Sequence, residues 1–154
     1  MGPQIRIVQA SADDLPAIAR LFDAYRVFYR QTSDLEAARR FIAERFKRRD
    51  SVIFLALADD EAAGFAQLYP SLSSVSMRPI WILNDLFVNP AHRGQGVGRR
   101  LMDRSRDFAR ASGAIRIELT TERTNATAQS LYRAAGYARD DVFYKFILTV
   151  ETQA

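Results

Sequence analysis

The 154-residue chain contains no cysteine, which removes disulfides, thiolate zinc centres and cysteine nucleophiles together. It has a single histidine, His92, so neither a histidine-built metal site nor a catalytic triad can be assembled, and the place of His92 just before Arg93 reads as loop surface. Lysine is scarce as well: apart from Lys47 and Lys145, the 22 basic residues are all arginine. No apolar stretch approaches the roughly 20 residues that a membrane span needs. The opening MGPQIRIVQA lacks the basic-then-apolar profile of a secretory leader. These absences predict a cytoplasmic protein with no membrane and no metal. What remains is 48% hydrophobic, with 10 Phe and 6 Tyr, enough for a real core in one domain spanning residues 1–154 and too much for a disordered chain.

The net charge of +4 is local. Residues 1–80 carry 11 basic and 10 acidic groups, whereas Arg93, Arg99, Arg100, Arg104, Arg106 and Arg110 stand against only Asp103 and Asp107. A nucleic-acid-binding face would spread basic residues among exposed aromatics. A cluster around one helix start fits a single anionic ligand better, so no nucleic-acid partner is expected. Arg104, Arg106 and Arg110 lie too far along that helix to share the ligand and read as solvated surface.

The pattern of apolar residues predicts a mixed α/β chain without repeats or linkers. A short strand surrounds Ile5 and Ile7, and Ser11 with Asp14 forms a capping box before a helix whose apolar stripe runs from Leu15 to Tyr29. Ser33 or Asp34 caps a second helix. Residues 51–58 (SVIFLALA) form a β-rich run that turns at Asp59-Asp60-Glu61 and pairs back as a hairpin over residues 64–69. A Ser-rich loop is expected over residues 71–78. Residues 79–88 (PIWILNDLFV) form the longest strand and close at Asn89-Pro90. A helix follows over residues 97–112 with Gly113 as its stop, then a strand over residues 114–121, a short helix capped by Thr124 or Asn125 and stopped by Gly136, and a last strand over residues 142–150. Strand, helix, strand, helix, strand in the second half implies parallel pairing around a crossover.

Arg93-Gly94-Gln95-Gly96-Val97-Gly98 lies between that long strand and a strong helix. Glycines at alternate positions leave backbone N–H groups unshielded, and the helix start adds partial positive charge, so the segment is suited to cradle an anion such as phosphate. Two phosphate motifs fail on spacing. A P-loop ends in Gly-Lys-Ser/Thr, where this chain has Gly98-Arg99-Arg100, and the dinucleotide fingerprint needs its third glycine at position 99.

The segment resembles the acyl-CoA loop of the GNAT N-acetyltransferase superfamily, in which Arg/Gln-x-x-Gly-x-Gly/Ala joins a strand to a helix; Arg93, Gly96 and Gly98 fill it. LNDLFVNPAHRGQGVGRRL, then Asn125, then SLYRAAGY, follows the order of that superfamily's core, and the chain is similar to its small histone- and polyamine-type acetyltransferases. The resemblance implies a single α/β domain with a mixed central sheet of about six or seven strands, about four helices and a splayed parallel pair. It implies acetyl-CoA as cosubstrate, with the backbone of Leu86, Phe87 and Val88 pairing with pantetheine. The N–H groups of Gln95, Gly96, Val97, Gly98 and Arg99 would hold the pyrophosphate beside Gly94, with charge from Arg93 and Arg99. Asn125, Ala128 and Tyr132 would complete the cofactor site.

Acetyl transfer from a thioester to an amine needs a neutral amine, a stabilised oxyanion and a proton for the departing thiolate. By the resemblance, Tyr132 is the general acid. A phenol (pKa about 10) protonates a thiolate (about 8.5) uphill by only ~2 kcal/mol. Relatives of the polyamine type carry Glu-Asp where this chain has Asn84-Asp85. Asp85 is therefore a possible base and Asn84 a possible positioner of water, although simple alternation puts Asp85 on the opposite face from Asn84, Leu86 and Val88. Glu118, Tyr25 and Tyr29 are further base candidates. Tyr25 and Tyr29, with Phe28, would also line the acceptor pocket, where an aromatic wall suits a cationic amine, though Arg26 and Arg30 disfavour a polyamine. The expected activity is direct transfer of acetyl to a primary amine of a small molecule or a protein. The alternative is a catalytically weak CoA-binding sensor or scaffold. An apolar last strand left on an edge favours a homodimer.

Overall fold

The computed structural model describes residues 1–151 and places five strands in one sheet, in the order β1-β2-β3-β4-β5. The strands are β1 (Ile5–Gln9), β2 (Val52–Ala58), β3 (Glu61–Ser73), β4 (Arg78–Val88) and β5 (Ile117–Glu118). The helices are α1 (Leu15–Phe28), α2 (Leu35–Arg48), α3 (Val97–Ala111) and α4 (Ala126–Ala134). Strands β1 to β4 form an antiparallel meander, and β5 joins β4 in parallel after the α3 crossover.

Local chemistry sets the ends of these elements. Ahead of α1 the Ser11 N–H donates to Asp14 Oδ2 at 2.9 Å, and at α2 the Ala37 N–H donates to Asp34 Oδ1 at 3.0 Å. Asn125 does the same for α4, accepting from the Ala128 N–H at 3.1 Å. Strands β2 and β3 are covered on both faces, which is why they read as nearly continuous apolar runs. Ile53, Leu55, Phe65 and Phe87 pack under α1 and α2 with Ile18 and Ile42. On the other face Phe54, Ala66, Leu68 and Leu83 meet Val97 and Leu101 of α3.

The β3–β4 pairing contains one irregularity that matters for the site. Gln67 pairs with Asp85 and Leu68 with Leu83, so Asn84 is an extra residue on β4. Side-chain parity changes across it. Trp81 and Leu83 pack toward α3, yet so do Leu86 and Val88, while Asp85 and Phe87 face α1.

Several expectations need correcting. Residues 71–78 are not a loop, because β3 continues to Ser73 and β4 begins at Arg78, with a turn between them in which Met77 takes φ +54°. The strand expected over residues 114–121 is reduced to Ile117–Glu118. Residues 142–150 form no strand, and every large apolar side chain from Val142 to Val150 is at least 79% exposed. The sheet therefore has five strands instead of six or seven, since an apolar β pattern becomes a strand only beside an edge that pairs with it. His92 is not loop surface: its side chain is 15% exposed and its Nε2 lies 3.8 Å from the Glu61 carboxylate.

Candidate active site

Strand β4 ends at Val88, and the next residue, Asn89, accepts from the Ala91 N–H through its Oδ1 at 3.1 Å. The chain then turns through Gly94 (φ +76°) and Gly96 (φ +81°) into α3. Both glycines occupy the left-handed region, and a Cβ on either would meet nothing within 4 Å. Backbone conformation requires glycine here, and the space beside them is open. The Arg100 N–H donates to the Gly96 carbonyl at 3.1 Å. The N–H groups of Val97, Gly98 and Arg99, one turn earlier, point out of the helix start, where the dipole favours negative charge. The cradle thus fits a pyrophosphate. Gly98 serves packing instead, since its Cβ would sit 3.1 Å from Leu131 Cδ2, and glycine there lets α4 lie against α3.

The two arginines expected to supply charge are partly committed elsewhere. Arg93 Nε donates to the Val88 carbonyl at 3.0 Å, and its guanidinium lies 5.6 Å from the Phe28 ring centroid and 5.7 Å from that of Phe87. Arg99 Nε donates to Asp103 at 3.0 Å and its Nη1 donates to the Ala134 carbonyl at 2.9 Å, which makes it a clamp between α3 and the end of α4. Arg100, in the first turn of α3, makes no ion pair among the described residues. A basic residue next to a glycine loop was its only sequence signal.

Next to the cradle the parallel pair opens. β4 meets β5 only through Trp81 with Ile117 and Ile82 with Glu118, so residues 83–88 have no strand partner on that side. Leu86, Phe87 and Val88, the expected pantetheine contacts, lie on this free stretch, with the Val88 carbonyl already accepting from Arg93.

At the inner end of the opening the structure gathers Tyr25 and Tyr29 from the α1 end, Tyr132 from α4, and Asp85 from β4. Tyr25 and Tyr29 have ring centroids 5.0 Å apart, and Tyr25 lies 6.2 Å from Phe87. The Tyr25 hydroxyl donates to the Asn84 carbonyl at 3.4 Å. Burial, and after it the Asp85 charge, pushes the Tyr25 phenol far above its usual range. Tyr29 is raised by burial and then by Glu122 and Asp85. Tyr132 is raised by burial and then by Tyr29. All three phenols stay protonated at neutral pH, as a proton donor must.

Asp85 is only 4% exposed. The Asn84 amide donates to its Oδ1 at 2.9 Å and the Gln67 amide to its Oδ2, while Gln67 in turn accepts from the Ser51 hydroxyl at 2.9 Å. Burial raises the Asp85 pKa above the ordinary carboxylate range, and hydrogen bonds from Gln67, Asn84 and Tyr25 pull the other way. The bulge corrects the alternation argument. Asp85 does stand opposite Leu86 and Val88, but Asn84 bonds to it directly instead of facing away. Gln67 and Ser51 escaped the sequence reading, although a glutamine inside the apolar run GFAQLY was a usable signal. Tyr69, raised to about 12 by burial and then by Asp85, was missed as well. Glu118 is set apart, half exposed on β5 and 3.7 Å from Arg116. Asn125 and Ala128 pair with each other as the α4 cap.

A glycine turn at a helix start thus lies beside a parallel pair that opens onto buried phenols and a carboxyl. The chain belongs to the acetyltransferase (GNAT) family, whose profile matches residues 15–137, and the protein is an acyltransferase. It is 47% identical over 146 residues to the uncharacterized N-acetyltransferase YhfO of Bacillus subtilis, covering 95% of this chain and 98% of that protein. It is 32% identical over 136 residues to the D-amino-acid N-acetyltransferase HPA3 of Saccharomyces cerevisiae, covering 86% and 84%. The crystal structure of a probable acetyltransferase, 41% identical, superimposes with a TM-score of 0.91 over 96% of this chain and 99% of that one. No helix among the described residues is long and apolar enough to cross a membrane, and no cluster of metal-ligating side chains occurs among them.

Proposed function

We propose that the protein transfers acetyl from acetyl-CoA directly to a primary amine. The observation that carries this reading is the opening of β4 from β5 over residues 83–88, which joins the glycine cradle at one end to Tyr132, Tyr25 and Asp85 at the other. Acetyl-CoA, when bound, supplies an activated thioester. The N–H groups of Gln95 to Arg99 hold its pyrophosphate, and the free edge of β4 orients the pantetheine. The amine nitrogen attacks the acetyl carbon, the C–S bond breaks, and Tyr132 gives its proton to the departing thiolate. The acceptor, arriving as an ammonium, loses one proton past the Tyr25 hydroxyl to solvent before it attacks, and the second proton, shed as the amide forms, replaces the one that Tyr132 gave to the thiolate. Asp85, sealed under Tyr25, positions that hydroxyl and holds negative charge near the incoming ammonium.

The acceptor is a small amine that places its cationic end among Tyr25, Tyr29 and Phe28. Support comes from the acidic groups that act on Tyr29, Glu122 and Asp85, which make the aromatic wall attractive to a cation. Glu122 is shared with Arg30 at 3.4 Å, and this disfavours acceptors with several positive charges. The burial of Asp85 supports a second reading, a CoA-binding sensor with weak turnover, because the carboxyl beside the Tyr25 phenol is closed off from solvent.

Isothermal titration with acetyl-CoA, followed by thiol release across a panel of D-amino acids, aminoglycosides and simple amines, tests both readings. Tight binding with an acetylated product on mass spectrometry is the expected result. Binding without thiol release selects the sensor, and no binding overturns both.

A further inference from the structure

Gln67 lies fully inside the core. It is 0% exposed and sits in register between Ile53 of β2 and Asp85 of β4, on the sheet face where Ile53, Leu55, Phe65 and Phe87 pack under α1 and α2. An apolar side chain of that length would pack there at no polar cost, whereas a buried amide must be paired at both of its ends. Both ends are paired. The Ser51 hydroxyl, just ahead of β2, donates to Gln67 Oε1 at 2.9 Å, and Gln67 Nε2 donates to Asp85 Oδ2.

Asp85 is surrounded by donors. The Asn84 amide donates to its Oδ1 at 2.9 Å, and the Tyr25 hydroxyl is its third side-chain partner. It makes no ion pair among the described residues. The ionisable groups that face it are the Tyr25 and Tyr29 phenols of α1 and the Tyr69 phenol of β3, and the Arg45–Asp50 pair, 3.0 Å apart at the end of α2, acts on Tyr69. A buried anion without a cation depends on its hydrogen-bond donors. The direction of the Gln67 amide therefore matters, and the Ser51 hydroxyl sets it. Turned over, the amide would bring its carbonyl oxygen against the carboxyl, an arrangement that holds only when Asp85 carries a proton to donate.

We propose that Ser51 and Gln67 are positioning residues of the reaction: together they hold Asp85 as an anion directed at the Tyr25 hydroxyl, and so keep negative charge beside the incoming ammonium. This rests on acetyl transfer to an amine as proposed above. Both residues act through Asp85, and the chain from Ser51 through Gln67 and Asp85 to Tyr25 links the start of β2 to the site across the sheet.

The test reads Asp85 directly. Carboxyl NMR of isotope-labelled aspartate, with the Asp85 resonance assigned by its loss in Asp85→Asn, follows the group through pH without any need for turnover. Gln67→Leu removes the donor and is expected to raise the Asp85 midpoint by about one pH unit or more, the scale of one hydrogen bond to a charged group. Ser51→Ala is expected to raise it by less, and Ser51→Thr, which keeps the hydroxyl, to match the parent; these two carry the test if Gln67→Leu does not fold. With an amine that the parent acetylates, the ratio of variant to parent kcat/KM cancels the acceptor's own titration. That ratio is expected to fall as pH drops through the variant's Asp85 midpoint, while the acetyl-CoA dissociation constant stays unchanged. A merely structural role would lower the melting temperature and leave the midpoint in place, which overturns the proposal. A midpoint that moves while the kcat/KM ratio stays flat with pH overturns it as well, with acetyl transfer still standing. A parent protein that acetylates no amine overturns the proposed function, and this inference with it.

Discussion

Phe65 and Phe146 carry the same side chain and the same transfer free energy, yet Phe65 is 0% exposed and Phe146 is 91% exposed. The first sits on β3 between two strand partners and beneath α1; the second sits on the arm. The contrast extends to whole regions. From β1 to α3, the core residues face either the α1–α2 layer or α3 and are buried there, while Leu72, Val75 and Met77 around the β3–β4 turn stay exposed. From β5 onward, one strand is two residues long, one helix has only half-buried residues and the terminal apolar run is open. Burial depends on whether a surface exists to receive the side chain. The region that holds the glycine turn covers its own core, and the region that presents Tyr132 leaves its terminal apolar run open among the described residues.

The largest expected effect separates the two regions by stability. Phe65→Ala should cost ~3–5 kcal/mol, as truncation of a buried aromatic does, and should lower the thermal midpoint equally at all protein concentrations. Phe146→Ala should leave it nearly unchanged, because the Phe146 side chain is 91% exposed. Equal losses would erase the distinction.

Within the site, Tyr132→Phe should lower kcat by about 10²-fold or more, the usual scale for a lost general acid, with the acetyl-CoA dissociation constant unchanged. Tyr25→Phe should act on kcat less and should shift the pH–rate profile. A Tyr132→Phe enzyme with normal turnover would move the catalytic acid out of the tail and into the body.

Asp85 gives a pH signature. Its folded-state pKa is raised, chiefly by burial, so folding favours the protonated form. The stabilising contribution is complete below the unfolded carboxylate value and is lost as pH rises through the folded one. Asp85→Asn, which stays neutral, should therefore gain in melting temperature relative to the parent as pH rises from the unfolded carboxylate value through the folded one. A difference independent of pH would show that Asp85 titrates normally. The smallest effect is expected for Arg99→Ala. Loss of its bond to the Ala134 carbonyl should cost about 1 kcal/mol and loosen α4, to be read as faster amide hydrogen exchange across residues 126–134 with little change across α3.

The body was legible because its chemistry is local. The Ser11–Asp14 box, the Asp34 cap, the double-faced run of β2 and the glycines before α3 each announce an element without reference to distant chain, and the structure keeps all of them. The loop expected over residues 71–78 failed for a tertiary reason: serines that suit a turn also fit the exposed face of a long hairpin whose other strand is strongly apolar. The final strand failed for a related one. Alternation in residues 142–150 is real, but an edge to pair with lies outside anything a pattern encodes. In the site, the glycine turn into α3 could be read and the Asp85 network could not, because Ser51, Gln67 and Asp85 come from three separate segments and meet only through sheet register.

Asn84 gives the β4 bulge a meaning of its own. It works as a shift of reading frame within one strand: residues before it and after it each obey two-fold alternation, but in opposite phase, so both halves keep their leucines on the α3 side while the second half presents an acid to the tyrosines. Removing that single residue would leave the composition of β4 almost untouched and every strand propensity intact. It would nevertheless turn the upstream half over and expel Trp81 and Leu83 from the core. The placement of Asp85 among the tyrosines thus depends on one unpaired residue, and a design that tidied β4 into a regular strand would keep the fold's appearance and lose that placement.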